Sequence, residues 1–319
     1  MLKIGSQINE VRVDGDLDAL RRDLQAFADF GLEAVEIPVH GLDAIRNGKL
    51  HRPTLLAARQ IFEDFPFAYS VHAPNPLNLM ARERFDLHVA VFGATLEFAT
   101  EVGARAVVCH PGRYLPEEAF AISSGPPQIA EDEKRRLLER EAATLQNLAA
   151  EFPDLCIALE NARPYRGHSP YCYAEKPIDL KAQVRRIARE NVRVALDTGH
   201  LQMAARFYGL DPCAEAGHLS GLIAHCHVHD NFGDPVYASE KLQTQQLPFG
   251  RGDSHMPVGW GGIDFAGILA SFLPDYGGLL ITELRSRYFR HTRESAQNLA
   301  AIVARLRPET ESQRLTARR

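Results

Sequence analysis

Six short apolar runs in this sequence end in a histidine or a carboxylate, the side chains that bind metal ions and transfer protons. The most informative run spans residues 192–200 and reads VRVALDTGH, so an apolar segment leads directly into Asp197, Gly199 and His200. Side chains of an extended strand alternate between two faces, so Asp197 and His200, three residues apart, cannot share a face. We therefore predict that the chain turns after Asp197, that Gly199 supplies the conformational freedom, and that both side chains converge beyond the strand.

The same arrangement recurs along the chain. The residues that follow the six apolar runs are His72, His110, Glu160, Asp197, His227 and Glu283. Imidazoles and carboxylates without thiols suit Zn²⁺, Mn²⁺ or Co²⁺, and suit Mg²⁺ less well. With His200, Asp253 and His255 there are about nine candidate ligands, more than the four to six that one ion takes. Either several ions bind, or some of these residues contact substrate.

Hydrophobic periodicity predicts the elements that position these residues. Strands are predicted at residues 2–8, 34–37, 67–71, 106–109, 156–159, 192–197, 222–229 and 279–282. Helices are predicted at residues 18–30, 42–62, 83–102, 133–152, 178–190, 201–209, 263–272 and 294–306. This alternation, with no break in composition, favours one (β/α)₈ TIM barrel over residues 1–307 rather than an open doubly wound sheet. The candidate ligands follow strands three to eight, where active sites of such barrels lie, and residues 308–319 form a charged tail that we expect to be flexible.

Composition narrows the function classes. The chain of 319 residues has 45% hydrophobic and 24% charged residues and a net charge of -5. The negative charge disfavours nucleic acid as a partner, although a local basic groove is compatible with it. Its five cysteines are odd in number and unpaired in spacing, as in reduced proteins. Neither a signal peptide nor an apolar segment long enough to span a membrane is evident, so we expect a cytoplasmic protein, with a homo-oligomer left open.

The motifs around these residues resemble the xylose isomerase-like barrel superfamily, which includes sugar isomerases, epimerases and endonuclease IV. The resemblance covers nearly the whole chain. The matching segments are HAP at His72, CHPG at His110, ALEN at Glu160, ALDTGH at Asp197, HVHDN at His227, DSH and PVGWGGIDF from Asp253, and TEL at Glu283. Each motif alone is weak, and their common order is what carries the resemblance.

The resemblance to ketose epimerases implies one divalent ion held by Glu160, Asp197, His227 and Glu283. It further implies that Glu160 and Glu283 take and return a proton through a metal-stabilised enediolate of an open-chain sugar or sugar phosphate. His200 would then bind a substrate hydroxyl. His225, His227 and His229 share one strand face, and we prefer His227 as the ligand because it has the family's His-x-x-Asp spacing to Asp230.

The resemblance to endonuclease IV implies a different hypothesis, a phosphodiesterase with three zinc ions. Its nine ligand positions have counterparts here, with His72, His110, His200, Asp253 and His255 joining the four residues of the epimerase hypothesis. Two departures weigh against it, because HVHDN stands where the nuclease has His-Leu-Asn-Asp-Ser, and Ser254 stands where it has a phosphate-gripping arginine.

Three further interpretations stay open. A dehydratase or another lyase would use the same metal site, and a non-catalytic binding barrel would not need both glutamates. Among the rim residues, Trp260 is a candidate wall of a sugar pocket or a loop anchor. Arg285, like other arginines in the connecting loops, is a candidate for binding a substrate phosphate.

Overall fold

The computed structural model describes residues 2–123, 125–238 and 243–307. Within them, the strands are β1 (Lys3–Gln7), β2 (Ala34–Pro38), β3 (Ile45–Arg46), β4 (Lys49–Leu50), β5 (Ala68–His72), β6 (Ala106–Cys109), β7 (Cys156–Glu160), β8 (Val192–Asp197), β9 (Ile223–Val228) and β10 (Leu279–Thr282). All except the β3–β4 hairpin pair in parallel and close into a barrel in the order β1-β10-β9-β8-β7-β6-β5-β2. The predicted (β/α)₈ barrel and its eight strands are confirmed.

Helices cover the outside of the barrel. Those in the described residues are α1 (Glu10–Val13), α2 (Leu17–Asp29), α3 (Arg52–Glu63), α4 (Phe85–Glu101), α5 (Glu131–Glu151), α6 (Pro177–Ile187), α7 (Thr198–Tyr208), α8 (Pro212–Leu219), α9 (Gln243–Gln246), α10 (Phe265–Ala270) and α11 (Thr292–Leu306). Most predicted helices are confirmed to within three residues at each end. The long loops carry short stretches of 3₁₀ helix, including residues 117–122, which lie beside the barrel opening.

The prediction of a helical stretch over residues 42–62 is wrong in its first half. The chain there forms a 3₁₀ turn at Val39–Leu42 and the β3–β4 hairpin before α3 begins at Arg52. The turn of the hairpin is Asn47-Gly48, and both residues have positive φ, 48° and 75°. An Asn-Gly pair favours this two-residue turn because both residues tolerate the left-handed conformation.

The predicted role of Gly199 also needs correction. Helix α7 starts directly after Asp197, whose Oδ1 accepts a hydrogen bond of 2.7 Å from the backbone N–H of His200, so a helix N-cap makes the turn. Gly199 does not have positive φ. A Cβ at this position would lie 2.0 Å from Cε1 of His229, so glycine is required for the close approach of that ring.

Register brings polar side chains together at the carboxyl end of the barrel. Asp197 pairs with His227 across β8 and β9, and Glu36 pairs with Ser70 across β2 and β5. Small and aliphatic residues fill the interior, in one group of Ala34, Ala68, Leu279 and Ile281 and another of Val108, Ala158 and Ala195. The packed interior therefore supports a layer of histidines and carboxylates above it.

Three other predictions concern the chain as a whole. All five cysteines lie in the described residues and are free thiols. No helix among the described residues is long and apolar enough to cross a membrane. The predicted flexible tail, residues 308–319, lies outside the described residues, and the boundary at residue 307 stays a prediction.

Candidate metal centre at the carboxyl end of the barrel

A cavity of about 770 Å³ opens at the carboxyl ends of the strands. The candidate ligands that line it are His110, Glu160, His200, Asp253, His255 and Glu283. Its lining also includes both arginines and carboxylates, among them Arg113, Arg285, Arg287, Glu117 and Glu118. The site predicted from sequence is therefore a deep polar pocket, large enough for a small-molecule ligand.

Glu160, Asp197, His227 and Glu283 form one group, which we call the four-donor cluster. One ligand atom from each lies within 4.8 Å of all the others. Nδ1 of His227 lies 3.4 Å from Glu160 Oε1, 3.5 Å from Glu283 Oε2 and 3.9 Å from Asp197 Oδ2. Ligand atoms bound to a zinc or manganese ion at about 2.0–2.2 Å are separated by similar distances. The four residues named by the epimerase resemblance are thus brought together.

The His227 ring is held from below by Glu36, a residue that the sequence analysis missed. Glu36 Oε1 lies 2.8 Å from His227 Nε2, and Glu36 Oε2 lies 2.8 Å from Nε2 of His225. A carboxylate on one ring nitrogen fixes the tautomer that leaves the other nitrogen free to bind a metal. The sequence signal that could have revealed Glu36 is a carboxylate inside the otherwise apolar strand AVEIP. His225 is accordingly an interior histidine beneath the cluster.

His72, His110 and Glu160 form a second group, the two-histidine cluster. It uses the other oxygen of Glu160, because Oε2 lies 3.3 Å from His72 Nε2 and 3.5 Å from His110 Nε2. Nδ1 of His72 lies 2.7 Å from the carbonyl oxygen of Ala73, so Nε2 is the nitrogen available for an ion. Glu160 therefore stands between two donor clusters and presents one oxygen to each.

A third group consists of His200, His229, Asp253 and His255. We call it the arginine cluster, because the side chain of Arg163 reaches into it. Asp253 Oδ2 lies 2.9 Å from His255 Nε2 and 3.4 Å from His200 Nε2. The sequence preferred His227 as the ligand and assigned no role to His229. Its ring stacks on His255 with centroids 3.8 Å apart, and its Nε2 lies 3.1 Å from Asp197 Oδ2.

Backbone contacts fix the relative positions of the strands that carry these clusters. Asn161, the residue after Glu160, accepts a hydrogen bond from the backbone N–H of Asp197 at 2.7 Å and donates one to the Asp197 carbonyl at 3.0 Å. Its own carbonyl oxygen lies 2.9 Å from His200 Nδ1. The ALEN and ALDTGH motifs are thus tied together through a single asparagine.

Asp230 does not contact His227, so the His-x-x-Asp spacing has another structural meaning. The Asp230 carboxylate accepts backbone N–H bonds from Gly259, Gly261 and Ile263, at 3.0, 2.9 and 3.2 Å. It therefore anchors the PVGWGG segment of the long loop. The same loop carries Asp253 and His255 to the cavity.

Of the two substrate-binding candidates on the rim, one lines the cavity. Arg285 does so, and its Nη2 donates to the carbonyl oxygen of Asp253 at 2.6 Å. Trp260 is not among the lining residues; its Nε1 donates to Glu294 at 2.9 Å and its ring contacts Tyr288 and His291. The loop-anchor interpretation fits Trp260, and the pocket-wall interpretation does not.

Burial and charge pairing control protonation in the centre. Burial opposes ionisation of Glu160, but the charge of His227 and the hydrogen bonds from His227 and His72 hold the pKa of Glu160 well below its usual range. Burial also disfavours the charged form of His72, yet the hydrogen bond to Glu160 and nearby carboxylates raise its pKa to about 9. Burial lowers the pKa of His110 to about 3. Glu160 is therefore ionised, and its charge is balanced by protons on the neighbouring histidines. A bound metal ion would displace those protons.

These features fit a divalent metal ion. The donors are imidazole and carboxylate, their spacings match those of metal ligands, and the imidazoles of His72 and His227 are oriented by a partner on the opposite ring nitrogen. Four donors surround one position and three surround the next, with Glu160 common to both. The arginine cluster has donors of the same kind but also holds a permanent cation.

The sequence matches the family model described as xylose isomerase-like TIM barrel over residues 24–308. This match covers most of the chain, and the chain therefore belongs to that family. No curated protein sequence matches it.

Solved structures with the same fold include both epimerases and a nuclease. A D-tagatose 3-epimerase-like protein is 20% identical, with a TM-score of 0.68 over 95% of this chain and 98% of the other. L-ribulose 3-epimerase is 17% identical, with a TM-score of 0.66 over 100% and 97% of the two chains. Endonuclease IV from Thermus thermophilus is 18% identical, with a TM-score of 0.61 over 96% and 100%. At these identities, the similarity establishes the fold.

Proposed function

We propose that this protein is a divalent-metal-dependent sugar isomerase or epimerase. The observation that carries the proposal is the four-donor cluster, in which Glu160 and Glu283 both reach the cavity from different strands. Metal binding alone does not require two carboxylates that face a substrate pocket, whereas proton removal and return do. L-ribulose 3-epimerase and the D-tagatose 3-epimerase-like protein, which have the same fold, are consistent with this class.

Glu160, Asp197, His227 and Glu283 would hold the catalytic ion. When bound, the ion supplies polarisation of the neighbouring hydroxyl and carbonyl oxygens of the substrate, which acidifies the adjacent C–H bond. Zn²⁺, Mn²⁺ and Co²⁺ fit this set of imidazole and carboxylate donors.

The protein residues then transfer the proton. One of Glu160 and Glu283 accepts the proton from the C–H bond beside the carbonyl, which leaves an enediolate, and the other returns a proton to the same carbon from the opposite face. The net change is inversion at that carbon, with no oxidant or other co-reactant. Return of the proton to the neighbouring carbon instead would give the isomerase reaction.

The cavity favours a small polar substrate. Its volume of about 770 Å³ suits a sugar, and Arg285 and Arg287 at the rim could bind a terminal phosphate. The carboxylates of Glu117 and Glu118 on the same rim disfavour a polyanion.

The test is a panel of ketoses and ketose phosphates in D₂O, with protein loaded separately with Zn²⁺, Mn²⁺ or Co²⁺. We expect stereochemical or positional conversion of at least one substrate, with deuterium at the carbon that receives the returned proton, which is the original carbon for an epimerase and its neighbour for an isomerase. Removal of the ion with a chelator should abolish both. The proposal fails if no member of the panel exchanges a carbon-bound hydrogen.

A second candidate is a multi-zinc phosphodiesterase. It is favoured by the convergence of all nine nuclease-like positions into three neighbouring clusters on one rim. An oligonucleotide with an abasic site, assayed beside the sugars, tests it directly. Incision without turnover of any ketose, together with three tightly bound zinc ions per chain, would replace the isomerase proposal by this one.

A further inference from the structure

The guanidinium group of Arg163 lies among the donor atoms of the arginine cluster. Its Nη1 is 2.9 Å from Asp253 Oδ2 and 3.2 Å from His200 Nε2. Nδ1 of His200 lies 2.9 Å from the Asn161 carbonyl oxygen, so Nε2 is the ring nitrogen that faces Arg163 and Asp253. The arginine therefore contacts the two atoms that would otherwise bind an ion.

We propose that Arg163 is a built-in cation that takes the place of a metal ion in the arginine cluster, so that this chain binds metal only in the clusters that contain Glu160. The inference concerns the number of ions and does not depend on which reaction the protein catalyses.

Spacing alone does not exclude an ion from this position. Asp253 Oδ2 and His200 Nε2 are 3.4 Å apart, a separation that two ligands of one zinc ion could adopt. An ion bound to both atoms at about 2.0–2.2 Å would, however, lie at most about 4 Å from Nη1 of Arg163. The two cations would repel each other in a buried site, where charges are poorly screened.

Arg163 cannot relieve this repulsion by losing a proton, because a guanidinium stays charged in proteins. It is also anchored. Its Nε and Nη2 donate to the hydroxyl oxygen of Tyr165 at 3.0 and 2.7 Å, and that hydroxyl donates to Glu117 at 2.7 Å. Movement of the guanidinium out of the cluster would break several hydrogen bonds at once.

Asp253 shows why removal of the arginine should open a metal site. Its side chain is only 2% exposed, and its Oδ1 has no hydrogen-bond partner among the described residues and lies 3.8 Å from His229 Nε2. Without Arg163, this buried carboxylate would lose its nearest permanent positive charge, and three histidines would remain around it. Such a set of donors would recruit a divalent ion.

The test is zinc content per chain, measured by mass spectrometry after equilibration with Zn²⁺ and gel filtration. We expect at most two ions in the wild-type chain and one more in Arg163→Met, which keeps an unbranched, flexible side chain but removes the charged guanidinium group. Arg163→Lys keeps a cation and should match the wild type. Arg287→Met, the same loss of charge at an exposed rim position, should also match it.

Two further variants keep the proposal testable if Arg163→Met folds poorly. His255→Ala in the wild-type background should leave the zinc count unchanged, because no ion is held there. The double variant Arg163→Met/Asp253→Asn should lose the additional ion. The proposal is overturned if His255→Ala binds one ion fewer than the wild type, or if Arg163→Met binds no more than the wild type. Failure of the sugar assay would leave these counts, and hence this inference, unaffected.

Discussion

The four-donor cluster and the arginine cluster lie side by side at the barrel opening and contain the same kinds of side chain, yet they differ in what balances their negative charge. In the four-donor cluster, the cationic partners of Glu160 are histidines, whose protons a metal can displace. In the arginine cluster, Asp253 faces the permanent charge of Arg163. Donor type and spacing alone therefore do not establish that a cluster binds metal; the cation already present beside it also matters.

Both clusters reach the cavity, but with different groups. The four-donor cluster contributes the carboxylates of Glu160 and Glu283 to the lining, and Glu283 has 18% of its side chain exposed. The arginine cluster contributes His200, Asp253 and His255, with Arg163 beside them. If the proposed function is correct, substitutions of the two glutamates should affect proton transfer most, and substitutions in the arginine cluster should have smaller effects.

The largest expected effect is on turnover when an acid/base glutamate is replaced. Glu283→Gln should lower kcat for the ketose substrate by about 10²–10⁴-fold, because an amide cannot accept or return the proton. Glu160→Gln should have at least the same effect, since its oxygens also face both metal positions. Steady-state kinetics with a saturating metal ion is the measurement.

Glu118→Gln is the matched control, because Glu118 is an exposed carboxylate on the same rim. It should change kcat by less than about twofold, as surface substitutions usually do little. Full activity in Glu283→Gln would disprove the two-glutamate mechanism.

A smaller effect is expected from the carboxylate beneath the four-donor cluster. Glu36→Gln should weaken metal affinity by about 10–100-fold, because Glu36 orients His227 through its Nε2. Competition with a chromogenic chelator measures this affinity. Glu33→Gln, an exposed change three residues earlier, should have no effect. Equal affinities in both variants would show that Glu36 has no role in positioning the ligand.

The close approach of the His229 ring to Gly199 should affect the free energy of unfolding. Gly199→Ala should lower the free energy of unfolding by about 1–3 kcal/mol, because the added methyl group must displace the His229 ring. Chemical denaturation of both proteins gives the difference. Gly93→Ala in α4 is the comparison, since no atom lies within 4 Å of its added Cβ, and it should gain about 0.5–1 kcal/mol. A neutral Gly199→Ala would mean that the His229 ring repacks freely.

The smallest effect is expected from His255→Ala. Asp253 keeps its contact with Arg163 in this variant, so ketose conversion should remain measurable, within about tenfold of the wild-type kcat/KM. His218→Ala, an exposed histidine in α8, is the control for a general loss of stability. Complete loss of activity in His255→Ala alone would place the arginine cluster in the catalytic machinery and remove the contrast between the two clusters.

Much of the site could be predicted from local sequence. The eight strands follow from short apolar runs, and their carboxyl ends meet at one rim in any (β/α)₈ barrel, so His72, His110, Asp197 and Glu283 could be placed together before the structure was known. The hairpin at residues 45–50 lies in a segment whose apolar residues also fit a helical period, and only the Asn-Gly pair signals the turn.

Contacts between distant segments were decided only by the tertiary structure. Glu36 meets His227 across 191 residues, and Arg163 meets Asp253 across 90, and no periodicity relates either pair. The role of Gly199 likewise depends on a ring from the next strand. The sequence alone determined the barrel and the donors on its rim, because strand period and strand ends are local properties. Closure of the barrel decided which cation faces each donor, because electrostatic pairing depends on distance in space and not on separation along the chain.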